Sequence, residues 1–185
     1  MNHFFTLLLL FNVDLAHAKG THELSKSEAL YRSSLISEVG YELYFNLYKS
    51  ETEFSGKSKI EFDLKSLPSK SRPLTIDFAK GKIVSLKVNE TSVNKPKYDS
   101  YHITLPSKDL KRGKNTIEIA YDHAYSRNGS GLHRFKDPED NQVYIFSDFE
   151  PYDANFMFPC FDQPDLKGTY QLQVEAPLSW QVISS

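Results

Sequence analysis

The chain has 185 residues, which is within the size range of a single domain and long enough to bury a hydrophobic core. Its 22 basic and 24 acidic side chains nearly balance. This balance excludes the basic field typical of nucleic-acid-binding proteins and the polybasic patch typical of proteins on anionic membranes. The 14% aromatic content, mostly Tyr and Phe, favours β structure over a helical bundle.

The first 18 residues have the layout of a secretory signal peptide. An apolar run at residues 4–13 precedes Ala16-His17-Ala18, a small-x-small pattern suited to cleavage before Lys19. The run is too short to span a bilayer, so we expect residues 1–18 to be a signal peptide and the protein to be periplasmic or secreted, with no membrane span. The alternative is a buried N-terminal strand in a cytoplasmic protein, because Asp14 interrupts the run and no Lys or Arg precedes it.

One short helix is predicted after this segment. Ser25-Lys26-Ser27-Glu28 is a capping-box sequence, in which the first Ser and the Glu satisfy backbone amides that a helix start leaves without partners. The helix is expected over residues 26–37. It should end near Gly40, because glycine is common just past a helix C-terminus.

From Tyr41 onward, apolar and polar residues alternate as they do in half-buried strands. Turns are predicted near Ser55-Gly56 and at Lys80-Gly81, and a bulge around Val84-Ser85. Because the chain turns at Lys80-Gly81, we expect the strands on the two sides of this turn to pair with each other. Strands are predicted at residues 41–48, 60–64, 74–78, 83–88, 101–105, 116–121, 143–146 and 169–175.

The predicted fold is mainly β: an antiparallel β-sandwich or saddle with one short N-terminal helix, over residues 19–185. Strands that recur every ten or so residues with short polar turns are typical of such folds. No internal repeat or linker divides the chain. Residues 180–185, WQVISS, have the pattern of a strand, so we expect the domain to be incomplete at its C-terminal end.

Two motifs carry a family resemblance. Residues 144–170 read YIFSDFEPYDANFMFPCFDQPDLKGTY, and residues 131–138 read GLHRFKDP. The first closely resembles the signature at the end of the N-terminal domain of aminopeptidase N type zinc metallopeptidases, where Q-x-E precedes F-P-C-F-D-Q-P-D-L-K-A-T-F. The second is similar to the same family's G-L-H-R-F-x-D-P sequence. The resemblance implies a β-rich saddle beside the substrate cleft of a zinc aminopeptidase, which releases N-terminal amino acids from peptides.

The zinc site that this resemblance implies has no counterpart in the sequence. Such a site needs H-E-x-x-H and a third ligand, and none of the six His has that spacing. The nearest approach, at His22, has Lys26 in place of the second ligand, and the family's G-A-M-E-N motif is also absent. We therefore expect no catalytic residue, no metal ligand and no cofactor in this chain, with zinc held by a catalytic domain that is its missing partner.

Glu150 and Asp148 are the candidate substrate-binding residues. In the family, the Glu of Q-x-E holds the free α-ammonium group at the substrate's N-terminus, and Phe149-Glu150-Pro151 matches that position. A carboxylate suits this task, because a charge-assisted hydrogen bond contributes about 1.5 to 3 kcal/mol. Asp148 replaces a Gln that the family uses near the first side-chain pocket, which leaves substrate preference open. The alternative for Glu150 is a solvated turn carboxylate.

The FPCFDQP segment at residues 158–164 is expected to be structural. Its two prolines fix the backbone and its two aromatic residues anchor it in the core or against the catalytic domain. Cys160 is the only cysteine, so no intrachain disulfide can form, and we expect it to be a buried packing residue.

Three functions are compatible with this sequence. The chain is the substrate-cleft domain of a zinc aminopeptidase, a stand-alone noncatalytic β-sandwich that binds a protein partner, or a remnant without function. G-A-M-E-N followed by H-E-x-x-H in the coding sequence downstream of Ser185 would favour the first, and an immediate stop would favour the second.

Overall fold

A computed structural model describes residues 23–184, so the predicted signal peptide lies outside the described residues. No helix in this part of the chain is both long and apolar enough to cross a membrane. Short 3-10 turns occur at Ser107–Asp109 and Ala154–Phe156. The regular elements are α1 (Lys26–Leu35), β1 (Ile36–Asn46), β2 (Glu53–Leu64), β3 (Thr75–Asp77), β4 (Lys82–Val88), β5 (Thr91–Ser92), β6 (Lys97–Tyr98), β7 (His102–Thr104), β8 (Gly113–Ala124), β9 (Gly131–Lys136), β10 (Val143–Asp148) and β11 (Gly168–Glu175).

These strands form three sheets. The large sheet has the order β11-β1-β2-β8-β4-β5, the small sheet has the order β3-β7-β6, and β9 and β10 pair as a two-stranded ribbon. All neighbours are antiparallel except β1 and β11. These two are parallel, since residues 149–167 carry the chain from the ribbon back to the far edge of the large sheet instead of closing a hairpin. The prediction of a mainly β, largely antiparallel domain with one N-terminal helix is confirmed.

The core lies between the inward face of the large sheet and the small sheet. Every second residue of β2 from Phe54 to Leu64 is buried, which is the pattern of a strand with one face in the core. Phe78, next to β3, meets Tyr121 of β8 edge to face, with ring centroids 5.0 Å apart. Each large apolar side chain buried in this way contributes about 1.5 to 3 kcal/mol. The burial of one face of each sheet therefore holds the two sheets together.

Helix α1 starts as predicted and ends earlier than predicted. The Ser25 hydroxyl accepts a hydrogen bond from the Glu28 backbone N–H at 3.2 Å, which is the expected N-cap. The helix ends at Leu35 and not at residue 37, because Ile36 is already extended and pairs with Leu64 of β2. Sheet pairing of a β-branched residue therefore decides the boundary, and the predicted end was wrong.

The predicted turn near Ser55-Gly56 was also wrong. Both residues lie inside β2, and the chain turns at residues 47–52 instead. Gly56 faces Tyr121 of β8, and a Cβ atom at this position would lie 2.4 Å from the tyrosine ring. The glycine is therefore required by the close approach of an aromatic ring and not by a turn.

Three further predictions about strands met different outcomes. The bulge in β4 is confirmed, because the register with β8 shifts between Ile83 and Ser85. The predicted pairing of β4 with the preceding strand was wrong: β4 pairs with β8, and β3 pairs with β7 in the small sheet across the core. The expected strand at residues 180–185 was wrong for the part that the structure describes, where Trp180 closes a turn onto Pro177.

Candidate functional site

The ribbon of β9 and β10 has one exposed aromatic face. Its register pairs Tyr144 with Phe135 and Phe146 with His133. The ring centroids are 5.3 Å apart in the first pair and 4.8 Å apart in the second. Phe135, Tyr144 and Phe146 are between 38% and 47% exposed. Because alternate residues of a strand share a face, Asp148 lies on this same face at the end of the ribbon.

Residues 148–151, which we call the carboxylate turn, follow directly from β10. The Glu150 backbone N–H donates a hydrogen bond of 3.2 Å to Asp148 Oδ1, and the Glu150–Pro151 peptide bond is cis. Both carboxylates are exposed. Within residues 23–184, neither of them forms an ion pair with a basic side chain. The two predicted substrate-binding residues thus lie together in one turn, where both carboxylates can meet a cation from outside the described part of the chain.

Asn155 ties the carboxylate turn to the segment that follows it. Its backbone N–H and its Nδ2 atom donate hydrogen bonds to Asp162 Oδ2 at 2.9 and 2.8 Å. Nδ2 also donates to the Tyr152 carbonyl at 3.0 Å. Burial raises the pKa of the Asp162 carboxyl group, while the Asn155 donors act in the opposite direction. This local network fixes the chain on the C-terminal side of Glu150.

The FPCFDQP segment packs into the core, as predicted. Phe161 is buried and meets Phe62 of β2 edge to face, with ring centroids 5.2 Å apart. Cys160 is buried too, and its backbone exchanges hydrogen bonds of 2.9 and 3.0 Å with that of Asp77 at the end of β3. Burial raises the pKa of the Cys160 thiol well above its usual range. Cys160 therefore stays a neutral packing residue, and the segment adds an aromatic anchor to the large sheet.

A buried ion pair lies behind this segment, and the sequence did not predict it. Arg32 of α1 donates two hydrogen bonds to the Asp77 carboxylate, at 2.5 and 2.6 Å, and a third to Thr75 Oγ1 at 3.0 Å. The Arg32 and Asp77 side chains are 0% and 1% exposed. Asp77 is the last residue of β3 and stands in the sequence between Ile76 and Phe78, a pattern typical of an outward-facing strand residue. Only the packing of α1 against β3 shows that both charges are buried.

His123 and His133 are held by backbone groups. The Nε2 and Nδ1 atoms of His123 lie 2.7 and 2.8 Å from the carbonyl oxygens of Ala79 and Ala124, and His133 Nδ1 accepts a hydrogen bond of 3.1 Å from the Gly129 N–H. In residues 23–184, no group of three or more His, Cys, Asp or Glu side chains could hold a metal ion. The described residues therefore do not fit the zinc ion that the family resemblance implies.

The sequence from residue 37 to residue 185 matches the profile of the Peptidase M1 N-terminal domain. This stretch contains both sheets, the aromatic ribbon, the carboxylate turn and the FPCFDQP segment. The chain belongs to the peptidase M1 N-terminal domain family. The recognition from the two sequence motifs is confirmed.

Several aminopeptidases resemble this M1 N-terminal domain over most of its length. Aminopeptidase N of Streptomyces lividans is 33% identical over 168 residues, which are 88% of this chain and 19% of that protein. Glutamyl aminopeptidase of Mus musculus is 27% identical over 165 residues, which are 81% of this chain and 17% of that protein. The chain therefore spans about a fifth of the length of these relatives.

Solved structures show the same fold. Native yeast LTA4 hydrolase superimposes on 79% of this chain with a TM-score of 0.60 and 21% identity, and the match covers 24% of that structure. A second structure of the native Saccharomyces cerevisiae enzyme gives a TM-score of 0.62 with 18% identity over the same share. These similarities show that the sheets and their connections are those of an M1 N-terminal domain.

Gly131, where the ribbon meets the carboxylate turn, is expected to be important for the stability of the fold. Its φ angle is +65°, and an added Cβ atom would lie 2.8 Å from Phe156 Cβ and 2.9 Å from the Phe156 carbonyl oxygen. Gly131→Ala therefore combines an unfavourable backbone conformation with a steric clash, and should lower the free energy of unfolding by about 2 to 4 kcal/mol. Urea unfolding of the chain measures this difference.

Gly113→Ala is the matched control, because Gly113 also has a positive φ angle, +81°, but has no atom within 4 Å of the added Cβ. This variant should lose only about 1 kcal/mol. Equal losses in the two variants would show that the contact with Phe156 does not restrict this position.

Proposed function

We propose that this M1 N-terminal domain forms one wall of the substrate cleft in a zinc-dependent aminopeptidase that releases N-terminal amino acids from peptides. The observation that carries the proposal is the exposed carboxylate turn, which has no basic partner within residues 23–184 and follows an exposed aromatic ribbon. The membership of this chain in the M1 N-terminal domain family and its resemblance to aminopeptidases along most of its length support the same function.

Glu150 would bind the α-ammonium group of the peptide substrate. An aminopeptidase must place the scissile bond at a fixed distance from a cationic N-terminus, and a carboxylate fixed in a turn supplies the counter-charge. Closure of the cleft by the rest of the protein would remove water around Glu150 and strengthen this bond. The position of one carboxylate would then make the enzyme an exopeptidase.

Asp148 would act on the first side chain of the substrate. It lies two residues before Glu150, on the ribbon face that carries Phe146 and Tyr144. Its side chain is shorter than the Gln found in the family and it carries a negative charge. The preference of this protein for the N-terminal residue should therefore differ from that of relatives with Gln at this position.

Zinc chemistry is proposed for the rest of the protein and not for this chain, since the described residues do not fit the metal. When bound, the ion would polarise the scissile carbonyl and activate water. The part played by the chain itself is to bind and orient the peptide N-terminus. The signal-like sequence at residues 1–18 supports a periplasmic or secreted location for the whole protein.

The coding sequence downstream of Ser185 tests this proposal directly. The expected result is an open reading frame that contains G-A-M-E-N and then H-E-x-x-H, followed by a third ligand. An immediate stop codon in an expressed gene would overturn the proposal and favour a stand-alone module that binds a protein partner.

The isolated chain of 185 residues is expected to have no aminopeptidase activity, because the described residues hold no metal-binding group and the sequence has no H-E-x-x-H glutamate that could serve as general base. The measurement is hydrolysis of aminoacyl anilides by the purified chain with added zinc. Metal-dependent turnover that survives repurification would contradict the assignment of the chemistry to another domain.

A further inference from the structure

A continuous chain of polar contacts leads from helix α1 to the carboxylate turn. The Arg32 guanidinium donates two hydrogen bonds to the Asp77 carboxylate. Asp77 Oδ2 also accepts a hydrogen bond of 3.0 Å from the Asp162 backbone N–H. The Asp162 carboxylate in turn binds Asn155, whose side chain holds the carbonyl of Tyr152. Tyr152 directly follows Pro151, the last residue of the carboxylate turn.

Two further observations concern the residues just after the turn. Burial raises the pKa of the Tyr152 hydroxyl, and the Asp77 carboxylate acts in the same direction. The backbone N–H of Asp153 also donates a hydrogen bond of 3.1 Å to the Phe149 carbonyl, which closes the turn. The backbone around Glu150 is therefore held by the Asp153–Phe149 bond and by the Asn155 contact with the Tyr152 carbonyl.

Helix α1 also holds the far end of the FPCFDQP segment. Gln163 Nε2 donates hydrogen bonds of 3.2 Å to the Ala29 carbonyl and to Ser33 Oγ, both on α1. The segment is thus attached to the helix at two neighbouring residues, Asp162 through Asp77 and Arg32, and Gln163 directly. A segment held in this way cannot move relative to α1 without breaking several buried hydrogen bonds.

A buried ion pair contributes more to the relative orientation of two elements than to the net stability of the fold. The loss of hydration largely offsets the attraction between two buried charges, so such a pair adds little net stability compared with apolar side chains of similar size. A bidentate contact between a guanidinium and a carboxylate nevertheless fixes the relative orientation of the two groups closely. Arg32 and Asp77 are therefore suited to hold one element in place against another.

We propose that Arg32 and Asp77 are positioning residues that hold the carboxylate turn in place from helix α1. They touch no substrate and act only through Asp162, Asn155 and Tyr152. The importance of the position of the turn for peptide binding rests on the proposed function of Glu150. The coupling between α1 and the turn is a property of this chain and is measured without any cleavage assay, so failure of one proposal is distinguishable from failure of the other.

The single cysteine provides the test, because Cys160 is buried, its backbone pairs with that of Asp77, and it reacts with a thiol reagent only when this segment opens. The variant is Arg32→Met in the chain of 185 residues. Cys160 labelling, and hydrogen exchange at the amides of Asp153, Asn155 and Asp162, should become about tenfold faster or more, since hydrogen bonds to charged groups change a local equilibrium by at least that factor.

The matched control is Leu86→Ala. Leu86 is a buried core residue on β4, three strands away from β1 in the large sheet, so its truncation lowers global stability without touching the network. Rates in the two variants are compared at denaturant concentrations that give equal free energies of unfolding. Faster opening in Arg32→Met alone supports the proposal, whereas equal rates in both variants would mean that Arg32 is only a structural residue.

Two further variants keep the test decisive. If Arg32→Met does not fold, the double variant Arg32→Met/Asp77→Leu removes both buried charges and should show the same local opening in a folded chain. Asn155→Ala leaves the ion pair intact and cuts the link to Tyr152, so it should speed amide exchange at Asp153 and leave Cys160 labelling near that of the parent. The proposal is overturned if amide exchange at Asp153 stays at the parental rate in the folded Arg32 variant, single or double, and in Asn155→Ala.

Discussion

In the aminopeptidase proposed above, we expect Glu150→Gln to lower kcat/KM for peptides with a free amino group by about tenfold to a hundredfold or more. The change removes the charge of a carboxylate that lies exposed in the carboxylate turn and keeps its shape. The lost charge-assisted hydrogen bond corresponds to about 1.5 to 3 kcal/mol. Zinc content should not change, because in the proposed function the carboxylate would contact the ammonium group and not the metal. Steady-state kinetics and metal analysis measure both quantities.

Two controls separate recognition of the ammonium group from a structural role of Glu150. Glu139→Gln removes an exposed carboxylate in the loop between β9 and β10, at the other end of the ribbon, and should leave kcat/KM near the parental value. N-acetylated substrates, which lack the cation, should lose little further activity in Glu150→Gln. Equal losses for free and acetylated substrates would show that Glu150 is a structural turn residue, and its assignment to the site would be wrong.

Phe62→Ala should lower the free energy of unfolding by about 3 to 5 kcal/mol. Phe62 is 1% exposed and lies on β2, in the middle of the large sheet. Its ring meets Phe161 of the FPCFDQP segment edge to face, so truncation leaves a cavity and removes the anchor of that segment. The loss is large compared with the 5 to 15 kcal/mol total stability of typical domains. Urea unfolding with a fixed m-value measures it.

Phe146→Ala is the control for this loss, because the same residue type lies 47% exposed on the ribbon and contacts mainly His133. It should cost less than about 1 kcal/mol, the scale of one cross-strand pair. A loss in Phe146→Ala as large as that in Phe62→Ala would mean that the aromatic face of the ribbon is packed in solution, and that it is not free to line a cleft.

The alternating strands were predictable because their pattern is local. In β2 from Ile60 to Leu64 and in β8 from Ile117 to Tyr121, every second side chain is apolar and buried, so the period of two is visible in the sequence without any knowledge of strand partners. The start of α1 was predictable for a similar reason, since the Ser25 cap bonds to Glu28 only three residues away. The bulge in β4 also showed itself as a break in the same local alternation.

Strand pairing and element ends were not predictable from the same patterns. The pairing of Ile36 with Leu64 ends α1, and the ring of Tyr121 explains Gly56, yet both partners lie far away in the chain. The assignment of β3 to the small sheet depends on which face of each strand meets the core. Alternation is the same for either partner, so it carries no information about this choice.

For the candidate site, the sequence by itself determined the family, through GLHRFKDP and FPCFDQPDL, and the assignment of Asp148 and Glu150 as substrate-binding residues follows from this resemblance and stays a prediction. A motif of contiguous residues can be recognised in the sequence without knowledge of the structure. Only the tertiary structure decided that Arg32 and Asp77 are buried together behind the carboxylate turn. These residues are 45 positions apart. A charge on a helix or strand has the same local pattern whether water or another element covers it, so packing alone decides which charges are buried.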